Sequence, residues 1–128
     1  MKYIGFEKSE CIEKLTAIQA DIEQIIAVIG PRSTLKGRDA YRAQVMLADL
    51  KSRLNIDYYR HLPVKGREMM TPEETIFYYP AILEASAKIA IPTNSTPGQD
   101  WVNGLEQARR DIEYYLGQLC SEAPSVRD

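Results

Sequence analysis

Six of the eight tyrosines stand in adjacent pairs, Tyr58-Tyr59, Tyr78-Tyr79 and Tyr114-Tyr115. Neighbours on a helix diverge by about 100°, so one ring of each pair is expected to enter a core while the other points elsewhere. Boundary packing with the hydroxyl reaching water is the ordinary reading. The functional one is that the second rings converge into a surface on which a planar base stacks. Arg109-Arg110 lies one turn before Tyr114. A guanidinium fork fits phosphate oxygens, so this pair is a candidate for phosphate capture. With Glu106, Asp111 and Glu113 beside it, solvated ion pairing is the plainer account. Arg32, Lys36 and Arg38 form a second basic group with the same two readings.

The stretch IAIPTNSTPGQDW, residues 89–101, offers Thr93, Asn94, Ser95 and Thr96 between two helical patterns. Such side chains bond locally to the backbone, and Ser95 or Thr96 is expected to cap the helix that follows. Asn94 stands between an aromatic helix and an arginine-bearing one, which makes it the candidate ligand contact. Asn94-Ser95-Thr96 also matches a glycosylation sequon, which is uninformative for a cytosolic chain.

Catalytic constellations are missing from the sequence: it has no glycine-rich phosphate loop, no HExxH and no nucleophile elbow. The single histidine, His61, gives no basis for a His-rich metal site. Cys11 and Cys120 lack metal-ligand spacing and fall on apolar helix faces, so they are read as reduced core thiols. The carboxylates are spread in ion-pair register. The expectation is a protein that is not an enzyme and uses no cofactor.

At 128 residues the chain is expected to form a single domain, 1–128. Hydrophobic residues at 45% and charged residues at 27% are the mix of an ordinary globular protein. A net charge of -2 and a pI of about 5.5 give no global field for duplex nucleic acid or an anionic membrane. No apolar run approaches the roughly 18 residues of a membrane span. The start MKYIGFEKSE lacks a signal peptide's apolar region, so the cytoplasm is the expected location.

These candidates sit on a mainly α framework of about four helices. Residues 2–6 could form a short strand. Ser9 is the expected N-cap of the first helix, whose Leu15, Ile18, Ile22, Ile25 and Ile29 recur at 3-4 spacing until Gly30-Pro31 ends it. A second helix, about 39–60, carries Ala43, Leu47, Leu50 and Leu54, with Arg42, Asp49, Lys51 and Arg53 on a solvated opposite face. A linker of about eight residues makes the two an antiparallel hairpin. VKGREMM is expected as an extended excursion pairing with the N-terminal strand, a small β element. Thr71, Pro72 and Glu74 mark a third helix start with a capping box. That helix should run to about Ala90 and kink near Tyr79, because Pro80 interrupts it. The last helix begins near Pro97 with Trp101, Leu105, Ala108, Ile112, Leu116 and Leu119 inward, and the tail SEAPSVRD frays.

The C-terminal half, FYYPAILEASAKIAIPTNS followed by a helix with ARRDIEYYL, resembles phage-encoded sponges of the Thoeris anti-defence family, the first type described. The matching features are the aromatics before Pro80, the Pro-Thr-Asn of residues 92–94, and a late arginine followed by a tyrosine pair. The first half agrees in general character only, a short lead and then two long helices. The resemblance implies a homo-oligomer in the host-cell cytoplasm that binds and sequesters a cyclic ADP-ribose isomer, without cleaving it, to block bacterial anti-phage defence. Some such sponges also bind cyclic oligonucleotides. Carried onto this chain, Tyr78 or Tyr79 would stack on the adenine, Asn94 would hydrogen-bond the ligand, and Arg109 with Arg110 would hold the diphosphate. The isoleucine seam exposes more surface than a hairpin covers, which favours oligomerisation. The alternative is a small helical regulatory module that binds a protein partner through that seam.

Overall fold

The computed structural model describes residues 6–31, 35–60, 71–92 and 94–121, with the backbone alone over 57–60. Four α-helices make it mainly α: α1 (Lys8–Ile29), α2 (Gly37–Arg60), α3 (Tyr79–Lys88) and α4 (Gln99–Ser121). No strand occurs among the described residues. The expected β element falls on residues 2–5 and 64–70, and the frayed tail on 122–128; these lie outside the described residues, apart from Phe6 and Ser121 at their edges.

The 3-4 spacing of α1 turns one stripe inward, and Cys11, Leu15, Ile18, Ile22, Ile25 and Ile29 are all buried. This corrects two expectations at once. The isoleucine seam is covered by the chain's own helices, so it offers no surface to a second subunit or a protein partner. Ser9 is not the N-cap; Glu7 is, in a capping box where its N–H donates to the Glu10 carboxylate at 3.4 Å. Gly30 ends the helix as expected: at φ +64 it takes the left-handed turn that a side chain resists, and its N–H reaches the Ile26 carbonyl at 2.8 Å.

Contacts fix the directions. Arg53 on α2 bridges to Asp21 on α1 at 2.8 Å. The Leu35 N–H, just before α2, donates to the Pro97 carbonyl, just before α4, at 2.8 Å. Further along, Arg109 on α4 faces Glu23 on α1 at 3.8 Å. On the far side, Lys88 pairs with Asp111 at 3.0 Å and Tyr115 donates to Glu84 at 2.5 Å. The helices therefore run up, down, up and down. Each packs on two neighbours, and no contact joins α2 to α4 among the described residues. α2 and α4 occupy opposite corners of the bundle.

The third helix starts at the expected place with one half of the expected capping box: the Thr71 hydroxyl oxygen accepts the Glu74 N–H at 3.1 Å, while the Glu74 carboxylate accepts no hydrogen bond from the Thr71 N–H in return. It then departs from expectation in kind. Instead of a kink within one α-helix, residues Glu74–Tyr78 form a π-helical turn, closed by the Tyr79 N–H to the Glu74 carbonyl. The turn's extra residue makes room ahead of Pro80, whose ring would clash with the carbonyl four residues back and which has no N–H to give. It also shifts the helix faces by about one residue, or 100°. Tyr78, in the upstream register, and Tyr79, in the downstream one, therefore both turn inward.

Candidate functional site

Both rings expected to present a stacking face are in the core. Tyr78 is 0% exposed and Tyr79 5%; they meet edge to face at 6.0 Å, and Phe6 closes on Tyr78 at 5.1 Å. The expectation of one ring in and one out fails here because the π turn resets the register. Tyr58-Tyr59 lies outside the described side chains, so no convergence of three pairs is seen.

Asn94 is exposed at the far end of α3 from Tyr78-Tyr79. The length of α3, which begins at Tyr79 and ends at Lys88, separates them, a rise of about 14 Å. Its loop leans on α2: Gln44 donates to the Ser95 carbonyl at 2.9 Å and Lys51 to the Ile91 carbonyl at 2.8 Å. Ser95 does not cap α4. Its hydroxyl donates to the Pro92 carbonyl at 2.6 Å and accepts the Trp101 indole N–H at 3.0 Å. Thr96 is exposed.

Arg109 and Arg110 part by one helical step. Arg109 turns toward α1 and is half-buried against Glu23. Arg110 is exposed on the outer face of α4, directly opposite Trp101, Leu105, Ala108 and Ile112. Within one chain, then, Tyr78, Tyr79, Asn94, Arg109 and Arg110 do not meet in one pocket. Of the second basic group, Lys36 and Arg38 are exposed, and Arg32 lies outside the described residues.

What the fold does bring together is α3 with α4, the two helices that carry the resemblance. Tyr114 is 60% exposed, one turn after Arg110 on the same outer face, with Gln107 also on that face. Its ring is braced edge-on by Tyr115 at 5.2 Å. Tyr115 is held in turn, since the Glu84 carboxylate accepting its O–H pushes the phenol up to about 12. The i, i+4 spacing of Arg110 and Tyr114 already places this outward ring one turn from an arginine.

Other concavities lie between α1 and α2. One cleft of about 390 Å³ is lined by Gln24, Ala27, Val28, Asp39, Arg42 and Met46, and another of about 180 Å³ reaches Lys14 and Arg53. Cys11 is buried, as expected, and its thiol is pushed up to about 12, by burial first and by the nearby carboxylates of Glu74, Glu73, Glu10 and Glu7 next. Cys120 is exposed, contrary to its reading as a core thiol. Among the described residues no group of His, Cys, Asp and Glu is placed to hold a metal ion, and no helix is long and apolar enough to cross a membrane. Neither the models of known protein families, nor curated proteins, nor solved structures give a match to this chain.

Proposed function

We propose that this chain is a non-catalytic binding protein that sequesters a cyclic ADP-ribose-type nucleotide, acting as a homo-oligomer in the host-cell cytoplasm to blunt an anti-phage signal. The observation that supports it is the placement of exposed Arg110 one turn before the exposed ring of Tyr114, itself packed on Tyr115, on the outer face of α4. An adenine stacks on the ring and a diphosphate oxygen takes the guanidinium. In this reading Tyr114 replaces Tyr78 and Tyr79 as the stacking residue.

Magnitudes explain why the reading needs an oligomer. Base stacking on one aromatic ring contributes about 1–3 kcal/mol, and a hydrogen bond to a charged group about 1.5–3 kcal/mol. Together they reach about 2.5–6 kcal/mol, around millimolar affinity and short of the roughly 8 kcal/mol of a micromolar complex. Small-ligand sites enclose about 70–90% of the ligand surface, and an open helix face does not. A second subunit over α4 supplies the missing contacts, with Asn94 of that subunit among the candidates.

Calorimetric titration with cyclic ADP-ribose isomers tests the proposal. Micromolar binding is expected, with Arg110→Ala and Tyr114→Ala each weakening it at least tenfold, and heat releasing intact ligand. Absence of binding by any adenine nucleotide at micromolar concentration would remove the reading. Recovery of a hydrolysed product would make the protein an enzyme.

A further inference from the structure

Gly117 is an exposed glycine inside α4, which continues to Ser121. Glycine weakens a helix interior relative to alanine, and none of its usual justifications applies here. Its φ is not positive. It does not end the helix, and a carbon added to it would meet nothing within 4 Å.

Helix geometry says what the missing side chain uncovers. A helical side chain leans over the turn N-terminal to its own Cα, and for position 117 that turn carries Glu113 and Tyr114. Glycine therefore leaves open the side of Tyr114 that faces the end of the helix, while Tyr115 packs edge-on against the same ring. Two charged groups border this opening. Arg110 and Glu113 are both exposed and stand one turn apart. Among the described residues Arg110 makes no ion pair with Glu113, or with Glu106 one turn before it. A guanidinium takes an anion, whereas an ionised carboxylate only accepts, so whatever lies on Glu113 must offer O–H or N–H groups.

We propose that Gly117 and Glu113 complete the Arg110–Tyr114 site and restrict it to ribonucleotides, an inference that rests on the nucleotide reading above. The base lies over the Gly117 backbone against the open side of Tyr114. The sugar hydroxyls donate to Glu113, and the phosphate takes Arg110. Along the helix these contacts follow the order base, sugar, phosphate, over a rise of about 10 Å. That is the order in which a nucleotide's own parts are joined. Glu113 and Tyr114 diverge by about 100°, so they flank the line from Gly117 to Arg110, with the carboxylate on one side and the ring on the other. A ribose diol brings this carboxylate two donors, and a 2′-deoxyribose brings one fewer.

Calorimetric titration with cyclic ADP-ribose isomers tests the assignment. Gly117→Gln fills the opening and is expected to weaken binding at least tenfold, with the thermal midpoint not lowered and sedimentation unchanged. Glu113→Ala decides by sign. Removing a carboxylate near a bound phosphate tightens binding when that carboxylate touches nothing on the ligand. Loss of the sugar's acceptor weakens binding instead, by about tenfold for one charge-assisted bond. In competition, adenosine 5′-diphosphate should displace the isomer from the parent at lower concentration than 2′-deoxyadenosine 5′-diphosphate does, and Glu113→Ala should erase that preference. No binding by the parent removes the nucleotide reading and this inference together. Binding that Arg110→Ala and Tyr114→Ala weaken, but that Gly117→Gln leaves intact or Glu113→Ala tightens, overturns this inference alone. So does a parent without the ribose preference, or a Gly117→Gln chain that loses subunit association, which would make Gly117 a subunit contact.

Discussion

The indole N–H of Trp101 donates to the hydroxyl oxygen of Ser95 at 3.0 Å, so the chain's only tryptophan fastens the loop that precedes its own helix. Trp101 is 1% exposed, and a buried donor left without an acceptor costs about 1–3 kcal/mol. Ser95→Ala should therefore destabilise the protein by that amount, read as a lower urea midpoint at unchanged slope. An unchanged midpoint would mean that the indole finds water instead.

Two glycines of α4 predict opposite outcomes for the same substitution. A methyl group at Gly104 would lie 2.6 Å from the Lys88 carbonyl oxygen and 3.3 Å from Ile91 Cδ1, where α3 ends against α4. Overpacking of that kind costs about 1–3 kcal/mol, and the oxygen belongs to backbone that cannot swing aside. It offsets the gain of about 1 kcal/mol in helix propensity, so Gly104→Ala is expected to lower the thermal midpoint. At Gly117 nothing lies within 4 Å of the added carbon. Gly117→Ala should raise the midpoint, by up to about 1 kcal/mol in stability. Thermal melts of the two variants beside the parent decide both signs.

Where the fold was legible, local chemistry and burial agreed. The α1 stripe, its Gly30-Pro31 stop and the Thr71 start were readable because spacing, cap and terminator all lie within a few residues. Glu7 was missed as a cap because glutamate is not among the side chains that usually hold that position. The π turn was missed because its cause, Pro80, predicts a break without saying how the backbone absorbs it. That single register shift then buried Tyr79 and removed the stacking ring expected there. The outer line of α2, where Tyr41, Val45 and Ile56 are all exposed, was obscured by reading Arg42, Asp49, Lys51 and Arg53 as one face, when their spacing splits them between two flanks. Arg109 and Arg110 were legible as residues but not as directions, since only the neighbours of α4 show which one meets α1.

The two thiols should separate cleanly. Cys11 is buried with its thiol pushed up to about 12, while Cys120 is exposed. A thiol reagent at mildly alkaline pH is expected to modify one cysteine per native chain quickly and the second only on unfolding. The sign of the pH effect follows from the shift. Unfolded Cys11 loses its proton near its ordinary value of 9.0, folded Cys11 only near 12, so the unfolded state gains from rising pH across that window. Stability contributed by the protonated thiol is full below pH 9 and is lost as pH rises toward 12. Tyr115, also pushed up to about 12, adds in the same direction above its ordinary value of 10.0. Urea midpoints should fall over this range, and less steeply in Cys11→Val and in Tyr115→Phe. Equal slopes in all three proteins would remove these groups as the cause.

Arg109 and Arg110 offer the sharpest test of where a nucleotide sits. Arg109 faces Glu23 across 3.8 Å and is half-buried, so Arg109→Ala loses a partly solvated ion pair, worth under about 1 kcal/mol of stability. Arg110 and Asn94 are both exposed, and their alanine variants should fold within about 0.5 kcal/mol of the parent. Binding should rank them differently. If the ligand lies on the outer face of α4, Arg110→Ala weakens it most, by about tenfold or more, matching the loss of one charge-assisted bond. Asn94→Ala follows only if a second subunit brings its loop over that face. Arg109→Ala then changes affinity least, because its side chain points to α1. The reverse order, Arg109→Ala most damaging and Arg110→Ala neutral, would move the site to the α1–α4 flank and exclude Tyr114 as the ring beneath the base.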